Sequence, residues 1–253
     1  MLVIDLVIIL GSSMVFGVSF IGLALGGGTE GLNSALPVLF SDLIIIMFIP
    51  SLYIASKIIK DGPFPSYSSS RGGWNIKLYL KALIIPIILF ALYMGIDTAI
   101  NGAKGTYHFS ILFLIVLFIS LPIQSIAEEY MFRGFLLQML GSWSNIPALA
   151  VVIQAIIFAM AHGYNSFGFL EVLAMGLVCG FFAWKTNGIE ISSAIHTANN
   201  FILGFFIMFG LQISTGAPDI FNSLATVALI IIIGVLMYYV GEKTEWFGEI
   251  PES

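Results

Sequence analysis

Residues 109–138, FSILFLIVLFISLPIQSIAEEYMFRGFLLQ, decide the fold. The run is apolar and longer than the roughly 20 residues an upright bilayer helix needs, yet it carries Glu128, Glu129 and Arg133 in its interior. A charge at membrane depth costs about 2.5 kcal/mol or more, so such groups are rare and mark function by default. Glu129 and Arg133 are four apart with the acid first, the favourable order for an ion pair on one helix face. Glu128 points about 100° away around the helix and does not share that geometry. One carboxylate is therefore neutralised and structural. The other faces elsewhere and has the position of a general base toward water. Pro122 removes a backbone hydrogen bond just before the carboxylates, which predicts a kink or tilt.

The rest of the chain reads the same way. It has 253 residues, 59% hydrophobic and only 9% charged, with a mean hydropathy of +1.04. A soluble globular domain carries about 25% charge. An all-α, polytopic integral membrane protein of a single domain, 1–253, is the simplest reading. No basic stripe interleaved with aromatics exists for a nucleic acid to follow, so nucleic-acid binding is excluded as an expectation. The single cysteine, Cys179, permits no internal disulfide framework. It lies in an apolar run without an adjacent base, where a thiol is inert. The first apolar segment has no Lys or Arg before it and carries Asp5, so it reads as a retained span rather than a leader.

Apolar runs of spanning length occur eight times, at about 2–26, 36–58, 77–100, 109–138, 147–163, 168–185, 189–211 and 219–241. Turn-forming stretches such as Gly26-Gly27-Gly28, Thr186-Asn187-Gly188 and Thr215-Gly216-Ala217-Pro218 separate them. Eight spans place Lys57, Lys60, Arg71, Lys77, Lys81, Lys185 and Lys243 on one side and Lys104 alone on the other. This bias predicts that both termini are cytoplasmic. Asp42, Asp97 and Glu171 lie near apparent span ends and read as interfacial. His108 has no matching partner in sequence and reads as solvated.

Two further polar clusters lie in later spans. Phe158 and His162 are four apart, so the phenylalanine packs beside the imidazole. His196 and Asn200 are four apart, and two N–H donors converging on one point suit a developing oxyanion. Taken singly, each cluster has a plainer explanation: an ion-pair lock between helices, a packing histidine, an asparagine that joins helices by hydrogen bonds. Three clusters in three spans, each at helical spacing, favour a hydrolytic site with water as nucleophile. Zinc held by His162, His196 and Glu128 is the second reading, since two His and a carboxylate form a known ligand set. G-x-S-x-G and H-E-x-x-H are both absent.

The three clusters, in this order, closely resemble the CPBP family, the CAAX proteases and bacteriocin-processing enzymes also labelled Abi. Its E-E-x-x-x-R, F-x-x-x-H and H-x-x-x-N motifs read here as Glu128-Glu129-x-x-x-Arg133, Phe158-x-x-x-His162 and His196-x-x-x-Asn200. The motif-bearing core covers about residues 120–205. The resemblance implies an intramembrane endopeptidase related to the Ras-converting CAAX prenyl endopeptidase. In it Glu128 and His162 activate water, His196 and Asn200 stabilise the oxyanion, and Glu129, Arg133 and Phe158 support the site. It implies no cofactor, with zinc as the alternative, a peptide or membrane-protein substrate, and a cavity among spans four to seven open to the membrane or the cytoplasm. The short loops look like those of a prokaryotic member, in a plasma membrane, where processing of peptide precursors and bacteriocin immunity are the attributed roles. A non-catalytic immunity or regulatory scaffold is the first rival reading. A small-solute transporter is the second, and no paired Gly/Pro-interrupted helices of an inverted repeat support it. Nothing in the sequence selects prenylated substrates or an oligomeric state.

Overall fold

The structure, a computed structural model, describes residues 35–60, 62–213 and 217–246. The span expected at 2–26, with Asp5, lies outside the described residues. The other seven expected apolar runs each correspond to a helical stretch: α1 (Ala35–Ile59), α2 (Ile76–Asn101), α3 (Ile111–Ser144), α4 (Pro147–Ala161), α5 (Ser166–Thr186), α6 (Glu190–Met208) and α7 (Ile220–Lys243). Among the described residues no strand forms, and Ser69 and Gly188 make an isolated bridge. The chain is an all-α polytopic membrane protein. Six of the seven helices are long and apolar enough to cross a bilayer. The exception is α4, whose 15 residues reach only about 22 Å at 1.5 Å per residue, short of a hydrocarbon core of roughly 30 Å.

Polar residues at the breaks set the helix ends. Asn75, Ser110, Asn165 and Asp219 each accept a hydrogen bond from a first-turn backbone N–H of α2, α3, α5 and α7, satisfying donors the helix leaves unpaired. Lys60, Asn145 and Asn187 close α1, α3 and α5 in the left-handed conformation, which asparagine tolerates better than most residues. Helix α3 is not uniformly α-helical. Val116–Ser120 and Tyr130–Leu137 wind as π-helix on either side of the α-helical Leu121–Glu129. The irregularity predicted at Pro122 thus takes the form of a π-helical segment directly before it, and a second one begins immediately after the paired carboxylates. Such segments recur at functional sites.

Helix α6 is the centre of the bundle, packed against α2, α3 and α5. Ile191, Ala194, Ile195 and Ala198 on it are fully buried. The small residues let neighbours approach, the usual packing device where lipid rather than water surrounds the helices. Helices α4 and α5 meet at Gly176, where a Cβ would stand 2.9 Å from the Ala155 side chain. At Gly134 a Cβ would overlap the Tyr67 carbonyl, so glycine there lets the 62–75 connection lie against α3. The outer faces carry large apolar side chains such as Ile58, Ile100, Phe118 and Val235, as a lipid-facing surface requires.

Candidate active site

The central helices bring all three motifs together. Glu129 and Arg133 are both buried, and Arg133 Nη1 donates to Glu129 Oε1 at 2.8 Å. His196 Nδ1 also reaches Glu129 Oε1, at 2.9 Å. Since a carboxylate only accepts, Nδ1 carries the proton there and Nε2 is the nitrogen left to the cavity. The Arg133 guanidinium lies 4.3 Å from the Phe158 ring centroid, a cation–π contact in a desolvated setting. Nη2 of Arg133 donates to the Gly176 carbonyl at 3.4 Å. Arg133 thereby joins α3 to α4 and α5, and Glu129 joins α3 to α6.

Phe158 is the hub of the aromatic packing. Its ring meets His162 edge-on at 4.7 Å, His196 at 5.7 Å and Phe132 at 4.9 Å. The expected contact between Phe158 and His162 is present, and the contacts with Arg133 and His196 extend it. His162 follows the last residue of the short α4. Its Nδ1 donates to the Phe158 carbonyl at 2.8 Å, because a carbonyl oxygen can only accept. Nε2 is then the acceptor of the neutral ring.

Glu128 diverges from the ion pair, as its helical position requires. Its Oε1 accepts from Gln124 Nε2 at 2.7 Å. Its Oε2 is buried with no hydrogen-bond partner among the described residues. His196 Nε2 stands 3.7 Å from that oxygen. The imidazole within 4 Å of Glu128 Oε2 is that of His196, and His162, which the resemblance joins to Glu128 in activating water, lines the same cavity. Glu128, His162, His196 and Asn200 all line one cavity of about 230 Å³. His162, His196 and Asn200 also line a second cavity of about 440 Å³, together with Phe158 and Asn199. His162, His196 and Asn200 thus border both hollows, and Glu128 borders the smaller one.

Asn200 is held across the α3–α6 contact. Its amide donates to Gln124 Oε1 and to Ser125 Oγ, both at 3.2 Å, and its own Oδ1 accepts from Asn199 at 3.0 Å. An amide chain therefore runs from Asn199 through Asn200 and Gln124 to Glu128. Sequence reasoning missed Gln124 and Ser125. The available signal was that Gln124 lies four residues before Glu128, on the same helical face. Asp42 is a correction. It was read as interfacial, but it is buried, accepts from Ser120 Oγ at 2.6 Å and lines the same cavity as Glu128. His108, read as solvated, is half-buried and shares an exposed hydrogen bond with the neighbouring Thr106 Oγ1 at 2.7 Å. Asp97 sits at the end of α2 with Asn101, Lys104 and Gln212 as partners. Glu171 and Asp97 both line the larger cavity. Tyr164, in the turn after α4, lines both hollows. Burial, and then the Glu128 and Glu171 charges, raise its phenol above the ordinary value, so it stays a donor.

Cys179 is fully buried and directs its thiol toward the Ser192 carbonyl at 3.6 Å, away from the cavity residues. Among the described residues, no three His, Cys, Asp or Glu side chains stand close enough together to hold a metal ion. His162, His196 and Glu128 share a cavity but not a coordination geometry, and His196 Nδ1 is already engaged by Glu129. The donor set does not fit zinc in this arrangement.

The comparisons with known proteins agree with the geometry. The family model described as type II CAAX prenyl endopeptidase Rce1-like matches residues 109–202. That segment holds all three motifs. Protein YyaK of Bacillus subtilis (strain 168), described as uncharacterized, is 29% identical over 194 residues, covering 72% of this chain and 65% of its own length. No solved structure matches the chain. The segment 109–202, which holds the Glu-Glu, Phe-His and His-Asn motifs, is thus similar to the Rce1-like type II CAAX prenyl endopeptidases.

Proposed function

We propose that this chain is an intramembrane endopeptidase that hydrolyses a peptide bond of a membrane-associated protein or peptide, with water as the nucleophile. One observation carries the reading: the buried Oε2 of Glu128, without a hydrogen-bond partner and 3.7 Å from His196 Nε2, in a cavity that His162, His196 and Asn200 also line. A buried carboxylate oxygen without a partner is costly, and a water donating to it removes that cost. The likeness to the Rce1-like family supports the protease class.

Water bound at Glu128 Oε2 gives its proton to the carboxylate as its oxygen bonds to the substrate carbonyl carbon. The carbonyl electron pair moves onto oxygen. His162, through its Nε2, accepts a hydrogen bond from the second hydrogen of that water, which stays on the oxygen, and so orients the attacking lone pair. The oxyanion is met by donors from His196 Nε2–H and the Asn200 amide. Glu129 supports a protonated His196 through Nδ1, and with Glu128, Glu129, Arg133 and His196 all ionised the four charges sum to zero. Asn200 reaches the oxyanion by exchanging its bond to Gln124 or Ser125. The Glu128 carboxyl then returns its proton to the leaving nitrogen as the C–N bond breaks, giving an acid and an amine. Phe158 and Arg133 touch no reacting atom and position the two imidazoles.

The bacterial relative and the cation bias support placement in a prokaryotic plasma membrane with both termini cytoplasmic. The test is a peptidomic comparison of cells carrying the intact chain and Glu128→Ala. Peptides that appear only with the intact chain are expected, along with a loss of turnover of about 10²-fold or more, the scale of a positioned general base. A stably expressed Glu128→Ala protein that retains the cellular phenotype would mean a scaffold rather than an enzyme.

A further inference from the structure

The two hollows at the site share part of their walls. His162, Tyr164, His196, Asn200 and Leu203 line both the 230 Å³ hollow that holds Glu128 and the 440 Å³ hollow beside it. Three of these residues belong to the motifs, and Leu203 is apolar. Tyr164 is the polar residue of this border that no motif contains. The backbone holds it from both sides. Gly163 takes a left-handed conformation, with φ 64°, and turns the chain off the end of α4, a conformation glycine adopts without steric cost. Asn165 caps α5 by accepting from Gly168 N–H at 2.8 Å, and its amide donates to the Pro218 carbonyl at 3.2 Å. Between them the Tyr164 ring stands edge-on to the His162 imidazole, with centroids 5.6 Å apart.

An oxyanion is best held by donors already in place and not engaged elsewhere. The Asn200 amide has two hydrogens to donate, and the structure uses both, toward Gln124 Oε1 and Ser125 Oγ. Asn200 can therefore meet an oxyanion only by giving up a bond. His162 presents an acceptor at Nε2, which leaves His196 Nε2–H as the one imidazole donor at the border. The Tyr164 hydroxyl is different. Among the described residues it makes no hydrogen bond. Burial, and then the charges of Glu128 and Glu171, keep the proton on its phenol. It is a standing donor that breaks no bond to act.

We infer that Tyr164 is a further catalytic residue, whose hydroxyl donates a hydrogen bond to the scissile carbonyl oxygen as negative charge develops there, beside His196 Nε2–H. The phenol keeps its proton throughout, so the proton path through Glu128 is unaltered. Asn200 is then able to keep its hold on Gln124, and through it on Glu128, during the attack. The inference rests on the peptidase reading and deepens it by one residue.

Tyr164→Phe in the full chain keeps the ring against His162 and removes only the hydroxyl. The probe is a peptide whose cleavage the Glu128→Ala comparison shows to depend on this chain. With the purified protein, kcat is expected to fall about 10²-fold, the scale of one oxyanion donor, with KM and the thermal midpoint unchanged. Unchanged kcat, or a raised KM with kcat intact, overturns the inference, the latter because it marks ground-state binding alone. A second variant keeps both ring and hydroxyl. 2,3,5-Trifluorotyrosine at position 164 ionises far more readily than tyrosine, so the alkaline loss of kcat is expected to move to lower pH. His162, His196, Glu128 and Glu171 are the other titratable groups bordering the two hollows near it, and they are the same in both chains. An unmoved alkaline limb overturns the inference even if the phenylalanine chain fails to fold. Cleavage that persists in Glu128→Ala, or no cleavage by the intact chain, ends the peptidase reading and this inference with it. Cleavage lost in Glu128→Ala but undiminished in Tyr164→Phe ends only the inference.

Discussion

At the scale of single residues, Arg133 and Gln124 separate two kinds of support. Arg133 is a fully buried cation whose charge Glu129 offsets directly. Removing one partner of a buried pair leaves an uncompensated charge, at about 3–5 kcal/mol. Arg133→Ala is therefore expected to lower folded yield as well as turnover, read by size-exclusion chromatography in detergent. Normal yield with turnover alone lost would mean that the arginine serves the chemistry directly. Gln124 is neutral and bridges Glu128 to Asn200. Gln124→Leu leaves buried groups unpaired at about 1–3 kcal/mol each. The expected result is a loss of turnover of roughly tenfold to a hundredfold with near-normal yield. Unchanged turnover would reduce Gln124 to packing. Glu129, Arg133 and the face of Glu128 were legible because helical spacing alone places them. The pairing of Glu128 with His196, and the presence of Asp42, were not, because nothing local relates α1, α3 and α6.

At the scale of elements, close helix approach carries the site. Gly176 allows α4 against α5 and presents its carbonyl to both Arg133 and Gln154. Gly176→Val is expected to lower the thermal midpoint of the purified protein, by the order of 1–3 kcal/mol typical of overpacking. An unchanged midpoint would show that the two helices adjust freely. The start of α7 has a pH-dependent cap. Backbone N–H groups of Asn222 and Phe221 hold the Asp219 carboxyl below its ordinary value. A depressed folded-state value means the cap stabilises at neutral pH and is lost as acidification protonates the group. Asp219→Ala is expected to flatten the acid side of the midpoint-versus-pH curve, measured by thermal unfolding from neutral to acidic buffer. Helix positions followed from hydropathy and turn residues. The π-helical segments of α3 did not, because their winding reflects the neighbours packed around Pro122 and the carboxylates.

For the whole molecule, the convergence of α3, α4 and α6 decides which chemistry is open. The absence of a three-ligand grouping among the described residues leads to a direct expectation. Turnover of the purified protein should survive exhaustive chelation, followed by peptide cleavage assay. Activity lost to chelation and restored by zinc would transfer His162, His196 and Glu128 to a metal site.

The sequence by itself determined a membrane-embedded helical protein, the approximate positions of seven described helices, and the four-residue spacing that sets Glu129 with Arg133, Phe158 with His162 and His196 with Asn200. Those follow from hydropathy and from a 3.6-residue period, both local properties. Only the tertiary structure decided that Glu128 faces His196 with an oxygen left without a hydrogen-bond partner, and that Gln124 and Asp42 share its surroundings. Each of these depends on distances between helices remote in the chain, set by how small residues and buried polar bonds let those helices pack.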